Sequence, residues 1–312
     1  MKYHDMEMRA VYADKLIELI DQDPNVFCLE ADLSKASGTP PVQVKHPDNC
    51  VDCGVQGANM ICVGAGLAKE GKIPFCATFT CFASRRVYDQ VFLSAAYANN
   101  NVKVVGTWPG SNQGPNGGTH MWFQDIALMR ALPNMHVYTP ADPHELRAVM
   151  EYMTQEHQPT YLQVIRQKVD QIFSSGYRFD PENAVLLKEG TAVTLVSTGY
   201  MTQFALQACK ALKEEGIEIE LLHYPSIKPF DDPTLIRSAQ KTGSVVTVED
   251  HSIIGGLGAA VCETLSEQYP VRVKRLGVPD AFGEVATEQY LFEKHGYGVE
   301  HIVEACRAAA QS

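Results

Sequence analysis

Short runs of apolar and β-branched residues alternate with longer helical segments along almost the whole chain. Segments such as 7–20 and 143–155 place apolar residues at helical spacing. The apolar runs of the first half are residues 26–29, 73–79, 102–106 and 161–165. Strands that alternate with helices favour parallel pairing, because each helix returns the chain to the edge where the previous strand began. The pattern therefore predicts an α/β fold in which a mostly parallel sheet is covered by helices.

A lapse in this periodicity predicts a second domain. Turn-forming residues occupy segment 173–181, and a new alternation starts after Gly190. The strands predicted there are residues 192–197, 217–224, 244–248 and 271–276. A chain of 312 residues is also long for a single core. We therefore expect two domains, 1–180 and 190–312, of which the second is smaller and self-contained.

Charge and composition exclude several classes of protein. The net charge of −11 repels nucleic-acid phosphates, and no basic run offsets it. The chain has no run of about 18 apolar residues, the length needed to span a membrane, and its N-terminus lacks the apolar core of a signal peptide. We expect a soluble cytoplasmic protein, in agreement with nine scattered cysteines. We interpret Cys50 and Cys53 as a structural thiol pair, because no second ligand pair follows at a spacing suited to a metal.

Three loops carry the candidate site, because parallel sheets bind ligands beyond the carboxyl ends of their strands. These loops are residues 53–60, 78–85 and 107–120. Taken alone, each also has an ordinary structural interpretation. Phe79 and Phe82 suit a core pair as well as a platform for a ligand ring. His120 suits a structural role as well as acid–base chemistry.

The order of the motifs is more specific than any one of them. The chain reads G-V-Q-G-A-N-M at 54–60, T-F-T-C-F-A-S-R-R at 78–86, G-P-N-G-G-T-H at 114–120 and D-I-A-L-M-R-A-L-P-N-M at 125–135. This string resembles the pyrimidine-binding domain of transketolases and deoxyxylulose-phosphate synthases. The sequence T-V-E-D-H-S-I-I-G-G-L-G at 247–258 resembles the transketolase C-terminal domain. The likeness covers essentially the whole chain and implies these two domains.

The resemblance implies a role for each matching residue. Phe79 and Phe82 would enclose the aminopyrimidine ring of thiamine diphosphate, with Arg85 at the edge of the pocket. His120 would contact substrate oxygens near the reacting carbon. No residue of this set would hold a metal ion.

Two arginines match positions that bind sugar phosphate in the family. Arg166 follows the strand predicted at 161–165, and Arg9 lies near the N-terminus. A planar guanidinium presents donors that fit phosphate oxygens. Arg9 is equally compatible with a solvated position on a helix surface.

Two positions depart from the family pattern. Trp108 stands where transketolases usually carry a histidine that contacts the donor sugar, and Asn116 stands where they carry an aspartate that contacts a hydroxyl. Tryptophan removes a hydrogen-bond acceptor and adds bulk, while asparagine adds a donor and removes a charge. These changes leave the choice of ketose open, and a ketose other than the common pentose phosphates is compatible with them.

Gly57 replaces the cofactor-activating glutamate of the family. The resemblance implies that this glutamate hydrogen-bonds a pyrimidine nitrogen and favours the imino tautomer. A positioned acid–base group contributes about 10²–10⁴-fold, so its loss predicts a slow enzyme. Alternatively, glycine supplies a positive φ or room for water, and another group such as Asp52 or Gln56 acts instead.

The chain also lacks the G-D-G sequence with a downstream asparagine by which the family holds magnesium and the cofactor diphosphate. The resemblance therefore implies a partner, an N-terminal-type subunit that supplies this half and Mg²⁺ in an α2β2 assembly. The expected reaction moves a two-carbon ketol unit from a ketose phosphate to an aldose. Three alternatives remain: a non-catalytic scaffold that binds the partner, a disabled or drifted variant of an active enzyme, and the β chain of a 2-oxoacid dehydrogenase first component.

Overall fold

Two sheets, each flanked by helices, organise the protein in this computed structural model, which describes residue 3 and residues 5–311. In chain order, the strands are β1 Val26–Glu30, β2 Cys50–Asp52, β3 Ile73–Phe79, β4 Lys103–Thr107, β5 His136–Tyr138, β6 Thr160–Val164, β7 Val185–Lys188, β8 Val193–Ser197, β9 Ile219–His223, β10 Ser226–Lys228, β11 Ser244–Ser252 and β12 Arg272–Val278.

Helices connect most of these strands. They are α1 Met8–Gln22, α2 Ser34–Ser37, α3 Pro40–Lys45, α4 Gly57–Lys69, α5 Thr80–Ala83, α6 Tyr88–Gln90, α7 Asp125–Arg130, α8 Pro143–Gln155, α9 Met201–Glu214, α10 Asp232–Thr242, α11 Leu257–Gln268, α12 Glu288–His295 and α13 Val299–Ala310, with 3₁₀ turns at Pro47–Asn49 and Gly110–Asn116 and a π-helix at Val91–Tyr97. Within the described residues, no helix combines the length and apolarity needed to cross a membrane.

The larger sheet has the strand order β10-β5-β6-β4-β3-β1-β2, and all of its neighbouring strands are parallel except β10 and β5. Alternate residues of its strands belong to different apolar cores. Cys28 and Phe75 pack against α1 and α8, whereas Leu29 and Cys76 pack against α4 and α7. Because both faces are covered, β3 is buried along its whole length, as expected for a central parallel strand.

The smaller sheet has the order β12-β11-β8-β9-β7, and only β7 runs antiparallel to its neighbour. One face packs against α9 and α13. The other face contributes Val196, Leu222 and Val245 to the apolar core that also contains Leu29 and Cys76 of the larger sheet. The α/β fold with mostly parallel sheets, predicted from the sequence, is confirmed.

The short strands were not predicted. β2, β5 and β10 have three residues each, which is too few to show a hydrophobic period. β7 begins at Val185, before the predicted start of the second domain at 190, and it is a half-exposed edge strand without a continuous apolar run. β10 comes from the second half of the chain but pairs with β5 in the larger sheet, so the second half is not self-contained.

Cys50 on β2 is the register partner of Cys28 on β1. The parallel register of β1 and β2 brings Cys28 and Cys50 side by side, and the interpretation of Cys50 and Cys53 as a structural thiol pair stays a prediction. All nine cysteines are free thiols.

A buried histidine and glutamate also join the two halves. The Nε2 atom of His223, at the end of β9, lies 2.8 Å from Oε2 of Glu145 in the first turn of α8, and neither side chain is exposed. The Nδ1 atom of His223 is 2.8 Å from the Thr202 hydroxyl, so both ring nitrogens have partners. Glu145 also accepts hydrogen bonds from the amide of Ala141 and the hydroxyl of Tyr177.

Replacing His223 by alanine removes one partner from a buried carboxylate, so we expect the free energy of unfolding to fall by about 3–5 kcal/mol. Urea denaturation followed by circular dichroism measures this change. Arg307→Ala is the control, because Arg307 pairs with Glu215 at the surface, where an ion pair adds little stability. Equal shifts of the urea midpoint in the two variants would contradict the role given to His223.

Candidate active site

Three loops meet at the carboxyl edge of the larger sheet. The loop after β2 leads into α4, whose first residue is Gly57. α5 follows β3 directly and carries Phe82, and the 3₁₀ turn Gly110–Asn116 follows β4. β1, β3 and β4 are neighbours in the sheet, and β2 lies beside β1, so these loops emerge side by side. The predicted grouping of the three loops therefore has a structural basis.

Aromatic rings form the centre of this site. The rings of Phe79 and Phe82 stack with their centroids 6.0 Å apart and their planes at 27°. The His120 ring stands edge-on to both, 6.3 Å from Phe79 and 5.4 Å from Phe82. Trp108 is edge-on to Phe79 at 5.6 Å. Phe79 is buried and Phe82 is half-buried, so the pair belongs to the core on one side and to the site on the other.

The cation that covers Phe82 is Arg86. Its guanidinium lies 3.9 Å from the centre of the Phe82 ring. Arg85, expected at the edge of the pocket, lies over the Trp122 ring at 4.6 Å and donates a hydrogen bond to the Thr119 carbonyl at 2.9 Å. Arg85 therefore supports the segment next to His120.

Gly57 is buried against the same aromatic cluster. A Cβ atom added at Gly57 would lie 3.2 Å from Cγ1 of Val87 and 3.9 Å from the carbonyl oxygen of Phe82. The φ angle of Gly57 is not in the left-handed region, so the interpretation that glycine supplies a positive φ is wrong. A helix that begins here accepts any small residue without backbone strain.

Asp52 and Gln56, the two residues that could act in place of the missing carboxylate, lie just before α4. Oδ1 of Asp52 accepts hydrogen bonds from the amides of Asp32 and Gly54, at 3.0 and 2.9 Å, and so stabilises its own loop. Gln56 precedes α4 with an exposed side chain that makes no capping hydrogen bond.

Arg166 and Trp108 form a stacked pair at the carboxyl ends of β6 and β4. The guanidinium of Arg166 lies 3.9 Å from the centre of the Trp108 ring. Partial burial, with the positive charge of Arg9 as a smaller cause, lowers the pKa of Arg166. Arg9 itself binds the Glu7 carboxylate at 2.6 Å and the Ala36 carbonyl at 3.2 Å. The two predicted arginines are thus close enough to interact, although Arg9 already has partners within the chain.

The glycine-rich loop connects Trp108 to His120. The indole Nε1 of Trp108 donates to the Asn112 carbonyl at 2.7 Å, and Trp108 has a left-handed φ of 61°. Asn116 is exposed and donates to the side chain of Gln113 at 3.1 Å. His120 is half-buried, and its Nδ1 atom is 2.8 Å from the Thr119 hydroxyl. A non-glycine residue in the left-handed region stores strain, which is typical of functional loops.

Two carboxylates that the sequence analysis missed contact this loop from the second domain. Asp250, at the end of β11, accepts hydrogen bonds from the amide and hydroxyl of Ser111. Glu288, the first residue of α12, accepts one from the Asn112 side chain. Burial raises the pKa of Asp250 to about 6, and burial, with the charge of Asp250 as a smaller cause, raises that of Glu288 to about 7. In the sequence, the one available signal of these carboxylates was the acidic pair 249–250 at the end of an apolar run.

The profile of the transketolase pyrimidine binding domain matches residues 4–171, which is more than half of the chain. This chain belongs to the transketolase family. The profile of the transketolase C-terminal domain matches residues 182–302.

Several relatives of this transketolase-family chain are themselves subunits. The 6-deoxy-6-sulfo-D-fructose transketolase subunit of Clostridium sp. strain MSTE9 is 44% identical over 311 residues, which cover 100% of this chain and 97% of that protein. An apulose-4-phosphate transketolase subunit of Phocaeicola vulgatus is 33% identical, with 97% and 96% covered.

Two solved transketolase structures superpose on this chain. A split-gene transketolase, described as an inactive β4 tetramer, superposes with a TM-score of 0.90 at 40% identity, covering 98% of this chain and 99% of that one. The transketolase of Campylobacter jejuni superposes with a TM-score of 0.81 at 22% identity. At this identity the likeness concerns the fold alone. This chain covers 47% of the Campylobacter protein, about half of its length.

The transketolase family uses thiamine diphosphate, and the site fits one part of this cofactor. The Phe82 ring is half-buried, and one face meets a charged group, the Arg86 guanidinium, 3.9 Å from the ring centre, so the ring can be reached from outside the core. Gly57, beside the Phe82 carbonyl, offers no carboxylate to a ring nitrogen. The residues present therefore fit ring stacking but lack the activating contact.

The buried carboxyl of Glu30 lies under the loop that leads to Gly57. Glu30 ends β1 opposite Asp52 on β2, and its carbonyl accepts the Cys53 amide at 2.9 Å. Its carboxyl accepts hydrogen bonds from the hydroxyls of Thr39 and Ser37, at 2.7 and 3.4 Å. Burial nevertheless raises the pKa of Glu30 to about 8.

Stability is expected to fall as pH rises from about 5 to about 8. Over this interval the unfolded chain loses the Glu30 proton while the folded chain keeps it, so the unfolded state is favoured by roughly 4 kcal/mol in total. Urea midpoints measured at several pH values report this change. Glu30→Gln removes the titration and should flatten the profile. An unchanged profile in Glu30→Gln would show that other groups cause the pH dependence.

Proposed function

We propose that this chain is the pyrimidine-binding subunit of a two-chain, thiamine-diphosphate-dependent transketolase. It would help to move a two-carbon ketol unit from a ketose with an anionic end to an aldose. The observation that carries this proposal is the convergence of His120, Phe79 and Phe82 with the N-terminus of α4 at the carboxyl edge of one sheet. This convergence brings together the proposed platform for the cofactor ring and a side chain suited to proton transfer.

The donor would carry a sulfonate or a phosphate at its far end. The relative at 44% identity is named for 6-deoxy-6-sulfo-D-fructose, and another is named for apulose 4-phosphate. Both names describe a ketose with an anionic terminus. The Arg166 guanidinium, held flat on Trp108, presents donors to such an oxyanion group, and Arg9 adds positive charge nearby. Asn116, exposed on the same loop, would bind a sugar hydroxyl.

Thiamine diphosphate, when bound, supplies the nucleophilic carbon of this reaction. The chain's own residues would orient the pyrimidine ring and exchange protons with the substrate. Phe79 and Phe82 would fix the plane of the pyrimidine ring, and Arg85 would support the segment next to His120. Nε2 of His120 would hold or release a proton at a substrate oxygen, since Nδ1 is engaged by Thr119. Gly57 leaves the ring nitrogen without its acid, so activation would be slow.

The partner would be an N-terminal-type subunit that binds the diphosphate and Mg²⁺, in an α2β2 assembly. Exposed apolar side chains near the N-terminus of α4 and on the adjacent π-helix offer a surface for it, with Val55 and Tyr97 73% and 81% exposed. The relatives that this chain covers almost completely are named as subunits. We place the complex in the cytoplasm, where nine free thiols remain reduced.

A catalytically silent scaffold is the second candidate function, and Gly57 favours it. The split-gene transketolase structure at 40% identity is described as an inactive β4 tetramer. A chain without the activating glutamate could retain the partner surface and the aromatic platform while supporting no turnover. Reconstitution with an N-terminal-type subunit separates the two functions, because only the enzyme transfers ketol units.

Restoring the carboxylate should increase turnover of the reconstituted complex. Gly57→Glu is expected to raise the rate of ketol transfer by about 10²-fold or more, because a positioned acid–base group contributes that much. The new Cβ requires Val87 to shift by a few tenths of an ångström. Gly57→Ala is the matched control, since it introduces the same Cβ without the carboxylate. Transfer is followed with a sulfonated and a phosphorylated hexulose as donors.

Equal rates for the wild type and Gly57→Glu would mean that another group already activates the cofactor. If the wild type, Gly57→Glu and Gly57→Ala all form the complex but none of them transfers a ketol unit, the result would favour the scaffold.

Arg166 and His120 should affect different kinetic constants. Arg166→Ala is expected to raise the KM for an anionic donor about 10- to 100-fold, because it removes charge-assisted hydrogen bonds. His120→Ala is expected to lower kcat about 10²-fold or more. Steady-state kinetics of the reconstituted complex measure both. Arg307→Ala and His301→Ala, on the distant helix α13, are matched controls, and effects of the same size in them would contradict these assignments.

A further inference from the structure

The glycine-rich loop lies directly against the second domain, and at Gly114 and Gly118 the contact is made by the two backbones. A Cβ atom at Gly114 or Gly118 would collide with the carbonyl oxygens of Ala286 and Gly283, and one at Gly110 would collide with the Asp250 carboxylate. Ala286 also donates a backbone hydrogen bond to Gly114 at 3.2 Å. The glycines of this loop therefore allow close contact with the second domain.

Asp250 holds the first residues of the loop. Its carboxylate is buried and accepts hydrogen bonds from the Ser111 amide at 3.1 Å, the Ser111 hydroxyl at 2.9 Å and the Tyr297 hydroxyl at 3.0 Å. Three donors satisfy the carboxylate, and two of them belong to the loop. Loss of this acceptor would leave the Ser111 amide without its partner.

Glu288 holds the next residue. Its carboxylate accepts hydrogen bonds from the side chain of Asn112 and the hydroxyl of Tyr200, each at 2.9 Å. The carbonyl of Asn112 in turn accepts the indole N–H of Trp108, on which Arg166 stacks. Contacts from the second domain thus continue, through one turn of the loop, to the proposed anion site.

We propose that Asp250 and Glu288 are positioning residues, which hold the loop so that Trp108 supports Arg166 and the end of the loop presents Asn116 and His120. The kinetic part of this proposal rests on the proposed function, but the order of the loop does not. The loop's own backbone hydrogen bonds are those of a 3₁₀ turn and the turn after it, whose geometry is poorer than that of an α-helix, so these carboxylates set the fraction of molecules in the binding-competent conformation. A lower fraction raises the apparent dissociation constant of the donor, which varies with the inverse of that fraction.

The test measures the loop directly. Asp250→Asn and Glu288→Gln are compared with the wild type by hydrogen exchange of the loop amides in the full chain. The chain has two tryptophans, Trp108 and Trp122. In a Trp122→Phe background, acrylamide quenching of fluorescence therefore reports Trp108 alone. We expect loop exchange to accelerate about tenfold and quenching to increase in both carboxylate variants.

Glu249→Gln is the matched control. Glu249 precedes Asp250 on the same strand and is fully buried, but its carboxylate accepts the amides of Leu257 and Gly258 at the start of α11. This variant should lower the thermal midpoint without changing exchange or quenching in the loop. Tyr297→Phe, which removes one hydrogen bond from Asp250 and none from the loop, should give a smaller change of the same kind.

In the reconstituted complex, Asp250→Asn and Glu288→Gln should raise the donor KM about tenfold and leave the dissociation constant of thiamine diphosphate within twofold of wild type. Loop exchange and quenching equal to wild type in both variants would overturn the proposal, as would equal acceleration in Glu249→Gln. A wild-type complex without ketol transfer would refute the proposed function, and loop exchange alone would then decide whether the two carboxylates order the loop.

Discussion

Close backbone contact between the glycine-rich loop and the second domain is the constraint on which the site depends. Gly114 and Gly118 permit an approach that any side chain would prevent, and Asp250 binds the loop amide that this approach brings within reach. Trp108, in a left-handed conformation, is then fixed by the Asn112 carbonyl. The second domain is therefore part of the site, although none of the predicted site residues belongs to it.

The two domains are joined well beyond this loop, so the contact has a rigid base. β10 leaves the second half of the chain to pair with β5, and the buried His223 contacts Glu145 on α8. Apolar residues from both sheets belong to one core, with Leu29 on one side and Val245 on the other. A loop held between two such firmly joined units keeps its shape although its own secondary structure is limited to one 3₁₀ segment.

Under the proposed function, Gly57 would separate ring binding from cofactor activation in this transketolase-family chain. The aromatic platform of Phe79 and Phe82 and the start of α4 are in place without the carboxylate, because they depend on β3 and on packing against Val87. The activating contact would depend on one side chain, and Oδ1 of Asp52 already accepts two amides of its own loop. A single substitution thus changes the expected chemistry while leaving the architecture intact.

The sequence by itself determined the α/β architecture and the three loops of the site, because hydrophobic period and motif order are local properties of the chain. It also identified Phe79, Phe82 and His120, which the structure brings into contact. It did not predict β2 or β10, which are too short to show a period. Only the tertiary structure decided that Arg86 covers the Phe82 ring, and that Asp250 holds Ser111, 139 residues away. The second contact depends on how the two domains pack together, and no spacing within the chain records that packing.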